Sequence, residues 1–124
     1  MLVYICCSGG ATSSLFCQKI SKEVGDKAFL DHIFLVLKDY ENLSQKYDMI
    51  LAYGPAEFLD EKSMNKYNLF DKLSSVWVAP QMRYVKDKIE EVCRPYDIPV
   101  EQIDMRTYGT MNGKKALEDI LSKL

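Results

Sequence analysis

Leu2-Val3-Tyr4-Ile5-Cys6-Cys7 runs directly into Ser8-Gly9-Gly10-Ala11-Thr12-Ser13-Ser14, and the change of character at Ser8 is the most informative boundary in the chain. The first six residues are apolar and rich in β formers. An unbroken run of that kind suits a strand buried on both faces, as at the centre of a parallel sheet. Gly9 and Gly10 stop it, and Thr12 or Ser13 can cap a helix over about residues 13–24. That helix places Phe16, Ile20 and Val24 on one face. Gly25-Asp26 ends it.

The same alternation continues downstream. An apolar run over 29–37, densest at Ile33-Phe34-Leu35-Val36-Leu37, reads as the second strand. Residues 39–46 form a short helix around Leu43. Residues 48–53 form a third strand stopped by Gly54-Pro55. One or two short helices fall within 56–74. A fourth strand over 75–79 ends at Pro80, and a helix over 81–94 buries Val85, Ile89, Val92 and Cys93. A fifth strand covers 100–104 and a loop covers 105–111. A last helix capped by Asn112 turns Ala116, Leu117, Ile120, Leu121 and Leu124 inward. The pattern predicts a single domain over residues 1–124, an α/β three-layer αβα sandwich on a parallel sheet. Ligands of such sheets bind at the carboxyl ends of the strands, where the strand order reverses.

Composition narrows the function. The chain has 124 residues, a formal net charge of −2, 48% hydrophobic and 27% charged residues. That is one domain's length with material for a real core. Mild acidity argues against nucleic acid as a partner, since phosphate backbones are gripped by an excess of Lys and Arg. Four cysteines in a chain able to build its own core point to a reducing, cytosolic setting rather than a disulfide scaffold. The first charged residue is Lys19. A signal peptide or membrane span is nevertheless a poor reading of this start. It has no positive head, and its apolar run ends at Cys7, well short of the ~20 residues a span needs.

The loop after Cys7 has a chemistry of its own. Gly9 and Gly10 let the backbone curl with its N–H groups inward, and the following helix adds unpaired N–H groups and a positive dipole end. Together they would cradle a phosphate-sized anion. The same field favours thiolate at Cys7, and thiolate is the nucleophile. Such a loop can accept a phosphoryl group on sulfur. The hydroxyls of Thr12, Ser13 and Ser14 add donors without charge. Cys17 and Cys93, on helical faces, read as small buried hydrophobes, and Cys6 as a residue facing the opposite side of the sheet. His32, the only histidine, reads as a partly buried sheet residue. No Cys/His spacing supports a metal site.

These residues carry a resemblance. Cys7-Ser8-Gly9-Gly10-Ala11-Thr12-Ser13-Ser14-Leu15 resembles the active-site loop of the lactose/cellobiose-type enzyme IIB proteins of the bacterial sugar phosphotransferase system. Ala79-Pro80-Gln81-Met82-Arg83-Tyr84 is similar to that family's Gly-Pro-Gln segment. Pro95-Tyr96-Asp97-Ile98-Pro99-Val100 is similar to the run before its last strand. Ile103-Asp104-Met105-Arg106-Thr107-Tyr108-Gly109-Thr110-Met111-Asn112-Gly113 is similar to the stretch after that strand. The resemblance covers residues 1–25 and about 75–124.

The resemblance implies a cytosolic phosphocarrier, peripheral to the membrane. Cys7 would take a phosphoryl group from a phosphohistidine of enzyme IIA. It would pass it to a sugar, expected to be a disaccharide, on the membrane component IIC. Ser8, Gly9, Gly10, Ala11, Thr12, Ser13 and Ser14 would hold the phosphate. Gln81, Arg83, Tyr84, Arg106 and Tyr108 are expected at the rim or against partners. No cofactor, metal or nucleic acid is implied, and the isolated chain is expected to be a monomer. The chain departs from the family in its middle. It has two strand candidates, at 48–53 and 75–79, where the family has one. Five strands are therefore expected rather than four, in order 2-1-3-4-5 or 3-2-1-4-5. The alternative is a cysteine phosphatase of the low-molecular-weight tyrosine-phosphatase kind. Those enzymes place Arg six residues after the cysteine, and here that position is Ser13.

Overall fold

The computed structural model describes residues 1–7 and 11–123, with only the backbone of Ala11. Five strands form one parallel sheet: β1 (Leu2–Cys7), β2 (Ala28–His32), β3 (Met49–Pro55), β4 (Leu73–Val78) and β5 (Val100–Gln102). The α/β class and the all-parallel, five-stranded sheet agree with the sequence reading. The strand order does not. It is β2-β3-β1-β4-β5, so neither expected order is found. Both expected orders put β2 beside β1; here β3 and β4 flank β1, and β2 is the edge.

Burial explains the exchange. Met49, Ile50, Leu51 and Ala52 are all buried, as a strand covered on both faces must be. Every residue of β2 is only half-buried, and it carries Asp31 and His32. Charge and short length suit an edge. The dense apolar run after it is not strand at all. Ile33–Lys38 forms helix α2, capped by the His32 side chain, which accepts from the Phe34 N–H. Ile33 and Val36 point inward, while Phe34 and Leu35 are 49% and 54% exposed. An apolar run alone cannot tell a buried strand from a helix.

The remaining helices are α1 (Ala11–Val24), α3 (Tyr40–Lys46), α4 (Glu61–Lys66), α5 (Leu69–Lys72), α6 (Lys86–Cys93), α7 (Met105–Gly109) and α8 (Gly113–Ser122). Three of them start on side-chain caps. Asp60 accepts from Ser63 N–H, Asp104 from Thr107 N–H and Asn112 from Lys115 N–H, each meeting an otherwise unpaired donor. The Asp104 cap converts the expected loop at 105–111 into α7 and shortens the fifth strand. The expected helix over 81–94 begins as a 3₁₀ turn at Pro80–Val85 and becomes α-helical only from Lys86. Leu121, expected inward, is exposed on α8, and Leu124 lies outside the described residues.

Alternation along β1 divides the core. Leu2, Tyr4 and Cys6 face a layer with α2, α4 and α6. Val3 and Ile5 face α1 and α8, where Phe16, Ile20 and Ile120 pack. All of β1 is buried, which accounts for its lack of charge. No helix among the described residues is long and apolar enough to cross a membrane.

Candidate active site

Two neighbouring strands leave the sheet in opposite directions. After β1 the chain goes to α1 on one face, and after β3 it goes to α4 and α5 on the other. In the order β2-β3-β1-β4-β5, β1 connects toward β2 on one side and β4 toward β5 on the other. The strand order therefore reverses at β1, whose carboxyl end lies at the topological switch point of the sheet. Cys7 is the last residue of β1 and stands in register with Pro55 of β3. It is 1% exposed, and its Sγ donates to the carbonyl of Gly54 at 3.5 Å.

Gly54 has a steric role there. A Cβ on it would lie 2.6 Å from Tyr4 Oη and 3.0 Å from Ile33 Cγ2. Tyr4 is fully buried, and its hydroxyl donates to the Pro55 carbonyl at 2.7 Å. Burial pushes the Tyr4 phenol's pKa up, so it remains a donor. It pins the end of β3 beside the thiol. In the sequence Gly54-Pro55 reads only as a stop. The signal it held was a tyrosine inside a buried run, which needs a hydrogen-bond partner. Gly54→Ala should destabilise the fold by about 1–3 kcal/mol through overpacking at this junction. Urea denaturation followed by circular dichroism measures it, and an unchanged midpoint would refute the account.

Other thiols are set apart. Cys6 lies in the opposite core, Cys17 under α1 and Cys93 under α6, each without solvent exposure. Burial pushes the thiols of Cys6 and Cys17 well up and that of Cys93 up to about 11.

Of the expected phosphate loop, Ser8, Gly9 and Gly10 lie outside the described residues, as does the side chain of Ala11. Thr12 is exposed, Ser14 half-buried and Ser13 buried at 1% exposure. Ser13 Oγ and Tyr108 Oη share a hydrogen bond at 3.3 Å, across 95 residues of sequence. Gln81 Nε2 donates to the same Tyr108 oxygen at 3.4 Å. The Tyr108 ring packs on Phe16, with centroids 4.8 Å apart. These links join α1 to the turn after β4 and to α7.

Four of the five expected rim residues come together. Gln81, Arg83, Tyr84 and Tyr108 line an open groove of about 560 Å3, with Pro80, Met105 and Gly109. The Ala79 N–H donates to the Cys6 carbonyl at 3.0 Å, which brings this groove beside the end of β1. Tyr84 is 76% exposed in it, but Tyr108 is 8% exposed and is chiefly a packed residue. Arg106 stands apart, facing a neighbouring depression with Asp104 and Met105. His32 caps α2 at the edge strand, stacked on Phe34.

Comparison with known proteins gives a consistent answer. No family model matches the chain. Over 51 residues, 41% of this chain, it is 43% identical to the oligo-beta-mannoside-specific EIIB component of the PTS system of Bacillus subtilis (strain 168). That match spans half of the relative's length. The fold is similar to the solution structure of the cellobiose-specific phosphotransferase IIB component from Borrelia burgdorferi. The TM-score is 0.60 at 25% sequence identity, over 99% of this chain and 90% of that one. Both are IIB components of sugar phosphotransferase systems, the class that the sequence motifs resemble.

Proposed function

We propose that residues 1–124 act as one IIB-type domain, a phosphocarrier of a sugar phosphotransferase system with Cys7 as the phosphorylated residue. The observation that carries this reading is the position of Cys7, closing the central strand at the switch point of the sheet. The likeness to two IIB components supports it.

The chemistry comprises two in-line displacements. In the first, the Cys7 thiolate forms an S–P bond while the N–P bond of a phosphohistidine on enzyme IIA breaks. The imidazole leaves with the bonding electron pair and takes up a proton. In the second, a sugar hydroxyl on the membrane component IIC attacks phosphorus. The S–P bond breaks, the sulfur leaves as thiolate, and the hydroxyl proton passes to solvent. Ser8, Gly9, Gly10, Ala11, Thr12, Ser13 and Ser14 would surround the phosphoryl oxygens with backbone N–H and hydroxyl donors. Gln81, Arg83 and Tyr84 are assigned to the rim that meets IIA and IIC, and Arg106 to the depression next to it. The protein would then work in the cytoplasm, at the membrane face through IIC. The relatives' names specify oligo-beta-mannoside and cellobiose, which favours a short oligosaccharide as the acceptor.

Ser13 supports carrier over phosphatase. A phosphatase of similar start needs a guanidinium fork six residues after its cysteine. Here that residue is a buried serine bonded to Tyr108. The test is intact-protein mass spectrometry after incubation with phosphoenolpyruvate, the general phosphotransferase proteins and a cognate IIA. One added phosphoryl group is expected, with no sustained hydrolysis of an aryl phosphate. Labelling on serine or histidine, or steady aryl-phosphate turnover, would sink the reading.

A further inference from the structure

The Tyr108 hydroxyl occupies the middle of a hydrogen-bond chain from Gln81 to Ser13. The Gln81 amide nitrogen is a donor, so its bond to Tyr108 uses a lone pair of the phenol oxygen. The bond between Tyr108 Oη and Ser13 Oγ can run in either direction, and the phenol's one proton is available for it. When the phenol supplies the proton, Ser13 accepts it and keeps its own for a further acceptor. Ser13 lies in the first turn of α1, a few residues after Cys7. The phenol is itself held from two sides. Its ring is tilted against Phe16, and α7, which carries it, is fixed by the Asp104 cap, with the Tyr108 N–H donating to the Asp104 carbonyl at 2.9 Å.

We infer that Tyr108 is a positioning residue of the phosphoryl-transfer site: through Ser13 it presents one hydroxyl as a fixed donor to the phosphoryl group that Cys7 carries. This rests on the phosphocarrier reading above. A serine hydroxyl left to rotate would spend part of its time offering its lone pairs to the anion. One that already accepts a proton from Tyr108 has its own proton directed elsewhere, and a preoriented donor in a buried site stabilises developing charge without reorganising. Gln81 extends the device to the groove, because its amide occupies one lone pair of the phenol oxygen. Every member is neutral, so the device adds no fixed positive charge to a site that must also release the phosphoryl group.

Tyr108→Phe removes the hydroxyl and keeps the ring on Phe16. Its rate of phosphoryl acceptance from phosphorylated IIA should fall about tenfold. Its melting temperature should fall by only about 3–5 °C, the cost of one buried hydrogen bond. The 31P resonance of the phosphocysteine should move, a signature that packing alone does not predict. Ser13→Ala should slow acceptance similarly, and Ser13→Ala/Tyr108→Phe no further, because the two hydroxyls act in series. If the parent accepts phosphate and Tyr108→Phe matches it in rate and resonance, this inference falls and the carrier reading stands. Additive losses in the double variant also overturn it. A parent that accepts no phosphoryl group overturns both.

Discussion

Cys7→Ser should end phosphoryl acceptance, lowering its rate by about a thousandfold or more, while Cys6→Ala, Cys17→Ala and Cys93→Ala still take up one phosphoryl group. Serine keeps the shape of the side chain, but its hydroxyl is almost wholly protonated at neutral pH and is a far weaker nucleophile than thiolate. The contrast among the four follows from the fold. Cys6 and Cys7 are adjacent, so strand alternation sends their sulfurs to opposite layers. Cys6 joins the core under α2, α4 and α6. Burial holds Cys6, Cys17 and Cys93 as thiols with raised pKa values. Cys7 alone of the four closes a strand at the switch point. Alanine is the right replacement for the three buried thiols, because it leaves no unpaired hydroxyl in an apolar core. Mass spectrometry of each phosphorylated variant reads the result. Retention of the label in Cys7→Ser would remove the basis for the site.

How legible this site was depends on whether its signals are local. The strand ending at Cys7 could be read because six uncharged residues and a glycine pair are a local pattern. Asn112 as a cap was equally local, and it does cap α8. The order of β2 and β3 had no such signal. It depends on which strand is covered on both faces, and the half-buried pattern of β2 is visible only after folding. α7 was hidden because five residues ending in glycine resemble a loop until the Asp104 carboxylate is seen on the Thr107 N–H. Tyr108 reads as a rim residue in the sequence for a related reason. Its partners, Ser13 and Phe16, lie more than 90 residues away, and no sequence spacing reports such a pair.

Gly113→Ala should cost about 3 kcal/mol or more of stability and lower the melting temperature by about 10 °C. Gly113 opens α8 where that helix crosses α1. A Cβ there would lie 2.3 Å from the Lys19 carbonyl oxygen and 2.5 Å from its carbon. Both are backbone atoms inside a helix, so no side chain can rotate aside, and the helices must separate. Separation opens the core shared by Phe16, Ile20, Ala116 and Ile120. It also pulls on the segment just before α8, which carries Tyr108, and so on the bond to Ser13. Phosphoryl acceptance should therefore fall along with stability, whereas Tyr108→Phe slows acceptance with a much smaller loss of stability. Gly109→Ala is the internal control. Nothing lies within 4 Å of a Cβ at that position, and its φ is not positive, so its melting temperature should stay within about 2 °C of the parent. Equal melting of the two variants would show that the α1–α8 contact is not the tight one.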